Sequence, residues 1–375
     1  MKKIIYLLKV IVLTSVFVSC SNNYQVENNN GVRKIFQNIE AKLNEKKSRK
    51  LKIIKKKVFN KKMFRYFTID CNNDNILFLS KNGNNYSLFQ YTNDFRLKKT
   101  KMIDEGKGPG DLQKVRGMEN INKKTYIVDN LAIKVFDQNF KFLESIPWKD
   151  KFKLYRDKTC ISVLDNNYFI APTIPFVVSN INKYGSIENT VISKISKNNR
   201  IKMYGWNACH MCNDSKYVYI TFREGKGRYE IRKYNKKLDP VWITNIKGKY
   251  TDKIYFEQVK THNSVQPKGA ANTNSIVVDD RYIYVLRGTG GYISWNKGKM
   301  EYTRIKELNN GFIDVFKKKD ARFIKRVDVE FLNTMDRVHM EKKNGKFYFF
   351  VHKIKKDKDG KFDIKDVLYV VKLQY

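Results

Sequence analysis

The stretch Tyr217-Val-Tyr-Ile-Thr221 returns further along the chain as Tyr282-Ile-Tyr-Val-Leu286, and the same aromatic rhythm occurs four more times. The other copies begin at Ile76 (ILFLS), Thr125 (TYIVD), Tyr168 (YFIAP) and Phe347 (FYFFV), so successive starts lie 49, 43, 49, 65 and 65 residues apart. Each copy is short, rich in β-branched and aromatic residues and flanked by turn formers, the composition of a β-strand. Units of roughly 40–50 residues with several strands apiece mark a propeller blade, because no such unit covers its own faces and each must stack on its neighbours. Six units predict an all-β, six-bladed β-propeller over residues 50–375. The aromatic strands are expected to be the innermost ones, lining a central channel.

After each aromatic strand comes a turn signal, such as Lys81-Asn-Gly-Asn-Asn85, Asp129-Asn130, Arg223-Glu-Gly-Lys-Gly227 or Lys356-Asp-Lys-Asp-Gly360. A second strand follows: Tyr86–Tyr91, Ile133–Phe136, Tyr229–Tyr234, Phe312–Phe316 and Val367–Val371 alternate apolar and polar residues. The third unit is the most degenerate, with Val177–Ile181 as its candidate. The sixth unit runs out of chain after two strands, while Leu51–Val58 and Met63–Ile69 are unclaimed at the other end. One or both are expected to join the C-terminal blade, closing the ring and covering a sheet edge.

The N-terminus sets an address. Met1-Lys2-Lys3 is a positive start, and Ile4–Val18 is apolar apart from Lys9, too short to span a bilayer comfortably and therefore an export signal. Its ending, Val16-Phe-Val-Ser-Cys20, resembles the bacterial lipoprotein signal. That resemblance implies removal of residues 1–19 and acylation of Cys20. Several acyl chains at about 0.8 kcal/mol per buried CH₂ would hold the protein on a membrane. Ser21 in place of an acidic residue points to the outer membrane. The polar run Ser21–Gly31 reads as a tether within a 20–49 N-terminal segment. Beyond it Ile35, Phe36, Ile39 and Leu43 stand at helical spacing, giving a short amphipathic helix or, alternatively, an edge strand.

The 375 residues carry 75 Lys+Arg against 37 Asp+Glu, a net charge of +38, with 14% aromatic residues. Enough apolar surface is present for a large core, so the chain is globular. The positive charge fits an anionic partner such as phosphorylated lipid, cell-wall polymer or glycan, or nucleic acid, with a partner protein the other candidate. Its even spread along every unit also fits solvated lysine-rich faces, and export argues against nucleic acid.

One segment carries a family resemblance. Asp104-Glu-Gly-Lys-Gly-Pro-Gly-Asp-Leu112, then Tyr126-Ile-Val-Asp129, Ile133-Lys-Val-Phe-Asp137 and Phe140-Lys-Phe-Leu143, resembles an NHL-type repeat of the bacterial six-bladed propeller lipoproteins common in Bacteroides-like organisms. The resemblance implies the propeller fold and leaves activity open. Gly106, Gly108 and Gly110 are expected to serve a tight turn with positive φ, entered through Pro109.

Chemistry-bearing residues are few. Three of the four histidines, His210, His262 and His339, precede aromatic strands and are the candidate zinc ligands, although no His-x-His spacing fixes their geometry. NHL-like lyases use histidine-bound zinc, which makes a metal-dependent lyase or hydrolase the alternative function. Cys209-His-Met-Cys212 lacks the histidine of a haem site and reads as a local disulfide, a bridge to Cys160 or free thiols. Asp357-Lys-Asp-Gly-Lys-Phe-Asp363 echoes part of a calcium loop but lacks its third acidic position and terminal Glu, so it reads as a hairpin turn. Arg116, Arg223 and Arg287 flank the aromatic strands and are the candidate cationic ring for an anionic ligand at the channel mouth. No nucleophile-and-base ordering is visible, so the leading expectation is a non-catalytic binding module.

Overall fold

The computed structural model describes residues 24–39, 49–59, 64–69, 75–148, 153–154, 159–171, 173–174, 178–191, 209–222, 229–247, 255–259, 264–268, 273–287, 291–296, 299–304, 311–332, 337–356 and 362–373. Among these residues there is no helix, and the strands form a six-bladed β-propeller. Blade 1 comprises Tyr66–Ile69, Ile76–Asn82, Asn85–Tyr91 and Leu97–Asp104, in antiparallel order from the centre outward. Blade 2 comprises Gly117–Ile121, Lys124–Val128, Ala132–Phe136 and Phe142–Pro147; blade 3 comprises Cys160–Leu164, Asn167–Ala171, Val178–Ile181 and Ile187–Val191. Blade 4 holds Cys209–Asn213, Val218–Phe222, Tyr229–Tyr234 and Pro240–Lys247. Blade 5 holds Thr273–Val278, Tyr282–Arg287, Gly311–Lys317 and Phe323–Val329. In blade 6, Arg337–Lys343, Lys346–Lys356 and Phe362–Leu373 are followed outward by Arg49–Phe59.

The recurring aromatic strands are second strands, which corrects the expectation that they are innermost. The innermost strand of each blade lies just upstream, and the inner strands neighbour one another in order from blade 1 to blade 6 and back to blade 1. The physical reason is burial. A second strand has a blade packed on each face and a strand on each side, so Phe78, Ile127, Phe169, Tyr219, Val285 and Phe349 are all wholly or almost wholly buried. An inner strand leaves one edge toward the axis and tolerates polar residues, as in Cys209-His-Met-Cys-Asn213 or Gly117-Met-Glu-Asn-Ile121.

Alternation along these second strands builds the interfaces. Leu77 and Leu79 meet Ile127 of blade 2, while Phe78 on the opposite face meets Tyr348 and Phe350 of blade 6. Tyr126 and Val128 meet Tyr168 and Ile170; Phe169 and Ala171 meet Val218 and Ile220; Tyr219 meets Ile283 and Val285; Tyr284 and Leu286 meet Phe347 and Phe349. Every interface of the ring therefore has its own apolar cluster, and each fully buried side chain of this size stabilises the fold by about 1.5–3 kcal/mol.

Ring closure uses one of the two unclaimed segments. Arg49–Phe59 pairs antiparallel with Phe362–Leu373, from Leu51 opposite Leu373 to Phe59 opposite Asp366, with a bulge between Ile53 and Lys55. Its first residues also pair in parallel with the outer strand of blade 5, Val327 opposite Arg49. The other segment enters differently: Tyr66–Ile69 is the inner strand of blade 1. The crossover is pinned where the buried Asp366 carboxylate accepts the Phe64 N–H at 2.9 Å and lies 2.6 Å from His352 Nδ1. The Phe64 ring stacks on Phe78 with centroids 4.3 Å apart and meets Phe59 edge-on at 5.0 Å.

The N-terminal segment is a hairpin on the outer edge of blade 4, so the edge-strand alternative holds and the helix does not; Leu43 lies outside the described residues. Tyr24–Asn29 and Val32–Asn38 are joined by Asn30 and Gly31, with φ of 49° and 76°, the paired positive values of a tight two-residue turn. Tyr24–Asn29 thus leaves the proposed tether and joins the fold. Val32–Asn38 runs parallel to the outer strand of blade 4, Arg33 opposite Trp242. Ile35, Gln37 and Ile39 alternate inward, so period two wins over helical spacing, because an open strand edge offers backbone partners that a lone short helix lacks. Gln37 Nε2 donates to Thr244 Oγ1 (2.9 Å) and the Ala321 carbonyl (2.7 Å), and its Oε1 accepts the Phe323 N–H, so the hairpin ties blade 4 to blade 5.

Candidate functional site

Strand direction alternates within a blade. The loops leading into inner strands and those joining second to third strands therefore share one end of the ring, called here the upper face. The first-to-second and third-to-outer turns share the lower face.

Arg116 and Arg287 both belong to the upper face. Arg116 is half-buried before the inner strand of blade 2; its Nε donates to Asn130 Oδ1 at 3.0 Å and its carbonyl accepts the Thr159 N–H at 2.7 Å. Arg287 ends the second strand of blade 5 with 1% of its surface exposed, so it is not presented to solvent at a channel mouth. Arg223, the third member of that proposed ring, lies outside the described residues, as do His262, Cys20 and the 357–361 turn.

His210 and His339 sit on the inner strands of blades 4 and 6, with the inner strand of blade 5 between them. His339 Nε2 lies 3.1 Å from Glu341 Oε1, and its ring meets Phe67 edge-on at 5.7 Å. The other Glu341 oxygen accepts the Ile69 N–H of blade 1 at 3.0 Å. These groups thus join blade 6 to blade 1, and among the described residues no three His, Cys, Asp or Glu side chains stand close enough to hold a metal ion. Cys209 and Cys212 share one strand, where a rise of about 3.3 Å per residue keeps their Cα atoms roughly 10 Å apart, beyond disulfide reach. Cys212 is a reduced thiol, which corrects the local disulfide, and no bridge joins it to Cys160. Burial pushes the Cys212 thiol well above its ordinary pKa, and the neighbouring Asp214 and Glu119 charges add to that.

The Gly-rich loop also differs in its reason. Gly106, Gly108 and Gly110 do not adopt positive φ; a Cβ on Gly106 or Gly108 would come within 2.4 or 2.5 Å of Asp111 Oδ2. The glycines make room for that carboxylate, which accepts the Gly108 N–H at 2.9 Å, while Lys134 Nζ donates to the Gly108 and Pro109 carbonyls.

A repeated carboxylate latch stands on the lower face. In Asp214-Ser-Lys-Tyr-Val-Tyr219 the Asp214 Oδ1 accepts the N–H groups of Lys216 and Tyr217, at 2.7 and 2.8 Å. Its Oδ2 accepts the Tyr219 hydroxyl and the Lys318 ammonium of blade 5, both at 2.9 Å. Asp279-Asp-Arg-Tyr-Ile-Tyr284 repeats the arrangement one blade on: Asp279 Oδ1 takes the Arg281 and Tyr282 N–H groups, and Oδ2 takes the Tyr284 hydroxyl and Lys342 of blade 6. Burial opposes ionisation of both acids, but the lysine, backbone and tyrosine donors outweigh it and hold the carboxyls below their usual range. The Asp-x-x-Tyr-x-Tyr spacing is visible in the sequence, and the acid three residues before each aromatic pair is the signal that strand patterning overlooks.

Beside these latches lies a cleft of about 390 Å³ between blades 4 and 5, lined by Lys233, Asp280, Arg281, Tyr282, Lys317, Lys318 and Lys319. Its residues come from the lower end of the third strand of blade 4 and from two turns of blade 5. Lys233 forms the deep wall with only 9% exposure, its ammonium 3.7 Å from the centroid of the Tyr217 ring. Burial lowers its pKa; Asp214 opposes this and Lys318 adds to it. Lys318 is neutralised by Asp214 and also donates to the Asp279 carbonyl at 2.9 Å. Lys317, Lys319 and Arg281 stand exposed on the rim with the single acid Asp280. With Lys318 paired to Asp214, four further cations to one acid in a concave, aromatic-backed site is an arrangement for holding an anion.

No protein-family model matches the chain, and neither does any curated protein. Among solved structures it is similar to the Pan2 WD40 domain of Neurospora crassa, at 10% identity and a TM-score of 0.44, covering 88% of this chain and 97% of that one. It is also similar to the N-terminal domain of Nup159, at 9% identity and a TM-score of 0.42, with 91% and 99% covered. A third is a Bacteroides caccae protein of unknown function, at 10% identity and a TM-score of 0.38, with 73% and 82% covered. The chain's own strand order and ring closure define its class, a closed, six-bladed β-propeller.

Proposed function

We propose that this chain is a lipid-anchored protein of the bacterial envelope, on the outer membrane where the cell has one, that works by binding and not by catalysis. Its partner class is anionic: envelope lipid, glycan or the acidic face of another protein. The observation that carries this reading is how the fold distributes charge. Asp129, Asp314 and Asp366 are wholly buried, and Asp214 and Asp279 are engaged in latches, whereas lysines such as Lys52, Lys98, Lys101, Lys317 and Lys319 stand exposed. Folding thus removes carboxylates from the surface of a chain that already carries +38, or +35 without residues 1–19. A rigid cationic ring attracts polyanions over a Debye length of roughly 8–10 Å at moderate salt. The lipoprotein signal ending at Cys20 supports the address.

The test has two parts. Mass analysis of the N-terminal peptide from protein expressed in a bacterial host is expected to show acylated Cys20, and Cys20→Ser is expected to abolish recovery with membranes. Retention on immobilised sulfated polysaccharide is expected to fall steeply as salt rises. Salt-independent passage through the column would count against the binding reading, and an unmodified N-terminus against the anchor.

A further inference from the structure

We infer that the lower-face cleft between blades 4 and 5 receives the phosphate of an anionic phospholipid headgroup, seating this face of the propeller on the bilayer that holds the Cys20 acyl chains. The inference rests on the lipid-anchor reading above and adds to it an orientation and a headgroup site.

Two independent observations meet here. The first is the site itself. Lys233 is nine-tenths buried, lines the cleft, and is backed by the Tyr217 ring. Most of its side chain is covered while its ammonium reaches the cleft, where a ligand anion would meet it. Arg281, Lys317 and Lys319 on the rim form a cationic collar facing outward. Asp280 is the opposing charge at that rim, and Asp214 is already neutralised by Lys318.

The second observation is where the chain enters the fold. Tyr24 opens the N-terminal hairpin, and its hydroxyl donates to the Asp320 carbonyl at 3.1 Å, the residue next to Lys319. The Arg322 guanidinium lies over the Tyr24 ring at 5.3 Å, and Gln37 holds the hairpin to both blades. Cys20 precedes Tyr24 by four residues, and a peptide extends at most about 3.6 Å per residue, so the Cys20 Cα stays within roughly 14 Å of the Tyr24 Cα and its acylated sulfur within about 17 Å. A headgroup layer about 7 Å deep therefore lies within reach of the collar at Lys317 and Lys319. The strand runs with Tyr24 toward its upper end, opposite Gln37, but the Tyr24 contacts with Asp320 and Arg322 hold that end beside the cleft. The anchor is thus attached at the flank of the cleft, and the cationic collar, not the strand direction, turns the lower face to lipid. Lysines near an anionic surface add to the hold of acyl chains.

The experiment uses the acylated protein reconstituted in vesicles of phosphatidylcholine alone or with roughly 30% phosphatidylglycerol, a content that gives a substantial negative surface potential. Amine acetylation at each lysine is read by peptide mass spectrometry. Lys317 and Lys319 are expected to react roughly fivefold or more slowly on the anionic vesicles, with recovery at about 0.5 M salt, where charge interactions are screened. Lys98 and Lys101, exposed on the outer strand of blade 1, are expected to react equally in both. Lys233 is also expected to be acetylated more slowly on the anionic vesicles, and the double variant Lys317→Glu/Lys319→Glu, at exposed positions that leave folding intact, is expected to lose that protection. Equal labelling of Lys317 and Lys319 on the two vesicles would overturn the proposal. So would protection by soluble glycerol phosphate matching that by vesicles, which would make the cleft a site for free phosphate esters. An N-terminal peptide without acyl chains, read from the same digest, would sink the anchor reading separately.

Discussion

Replacing Asp214 by Asn tests whether the latch between blades 4 and 5 is a structural element of the ring. The side chain accepts four hydrogen bonds, two from backbone N–H groups and two, on Oδ2, from Tyr219 and Lys318. An amide keeps one acceptor oxygen, so the backbone pair survives, but its NH₂ then faces two donors. Losing two charge-assisted bonds at about 1.5–3 kcal/mol each, reduced by the partial exposure of the pair, predicts destabilisation of roughly 2–4 kcal/mol. Denaturant melts of the wild type, Asp214→Asn and Asp280→Asn measure it. Asp280 is exposed on the cleft rim, and its replacement should stay within about 0.5 kcal/mol. The pH dependence has a definite sign. The carboxyl is held below its ordinary range in the folded state, so its contribution is complete above the unfolded value of about 3.9 and is lost as pH falls through the folded value. The gap between wild type and variant should therefore be constant at neutral pH and close in acid. A gap no larger than that of Asp280→Asn, or one that persists unchanged in strong acid, would refute the latch.

Other consequences are simpler. A Cβ at Gly117 would stand 2.1 Å from the Thr159 carbonyl oxygen, backbone against backbone, so Gly117→Ala should cost about 3 kcal/mol or prevent folding, whereas Gly31→Ala, with open space around it, should cost only the strain of positive φ. Circular dichroism melts of the two variants check the order. Cys212, half-buried and with its thiol pKa raised, should alkylate slowly in the native state and react at once in denaturant; fast native labelling, or its recovery in a disulfide from oxidised protein, would contradict the placement.

Much of the architecture was legible because blade stacking forces a strong signal into one strand per unit. The buried runs at Ile76, Tyr217 and Phe347 are apolar on both faces, and their period alone predicts six blades. The same bias misplaces the axis by one strand, since a short inner strand such as Cys209–Asn213 is mixed in polarity and carries no comparable pattern. Closure was half visible: Leu51–Val58 joins the last blade, but Tyr66–Ile69, equally apolar, starts the first, a choice made by register and by the Asp366–Phe64 contact across some 300 residues. The cleft was the least legible. Lys233, Arg281 and Lys317–Lys319 are unremarkable cations in a lysine-rich chain until three separate segments fold together. The arginines singled out from loop positions were read on the upper face, and Arg287 proves buried because its strand end packs inside blade 5.

Everything in the account depends on a ring held shut by the chain's two ends. Hydrogen exchange on the amides of Leu51–Phe59 measures that directly. Protection matching that of Phe362–Leu373, its antiparallel partner, is the result the closed propeller predicts. Exchange as fast as in an unstructured tail, with blade 6 otherwise protected, would show an open ring and contradict it.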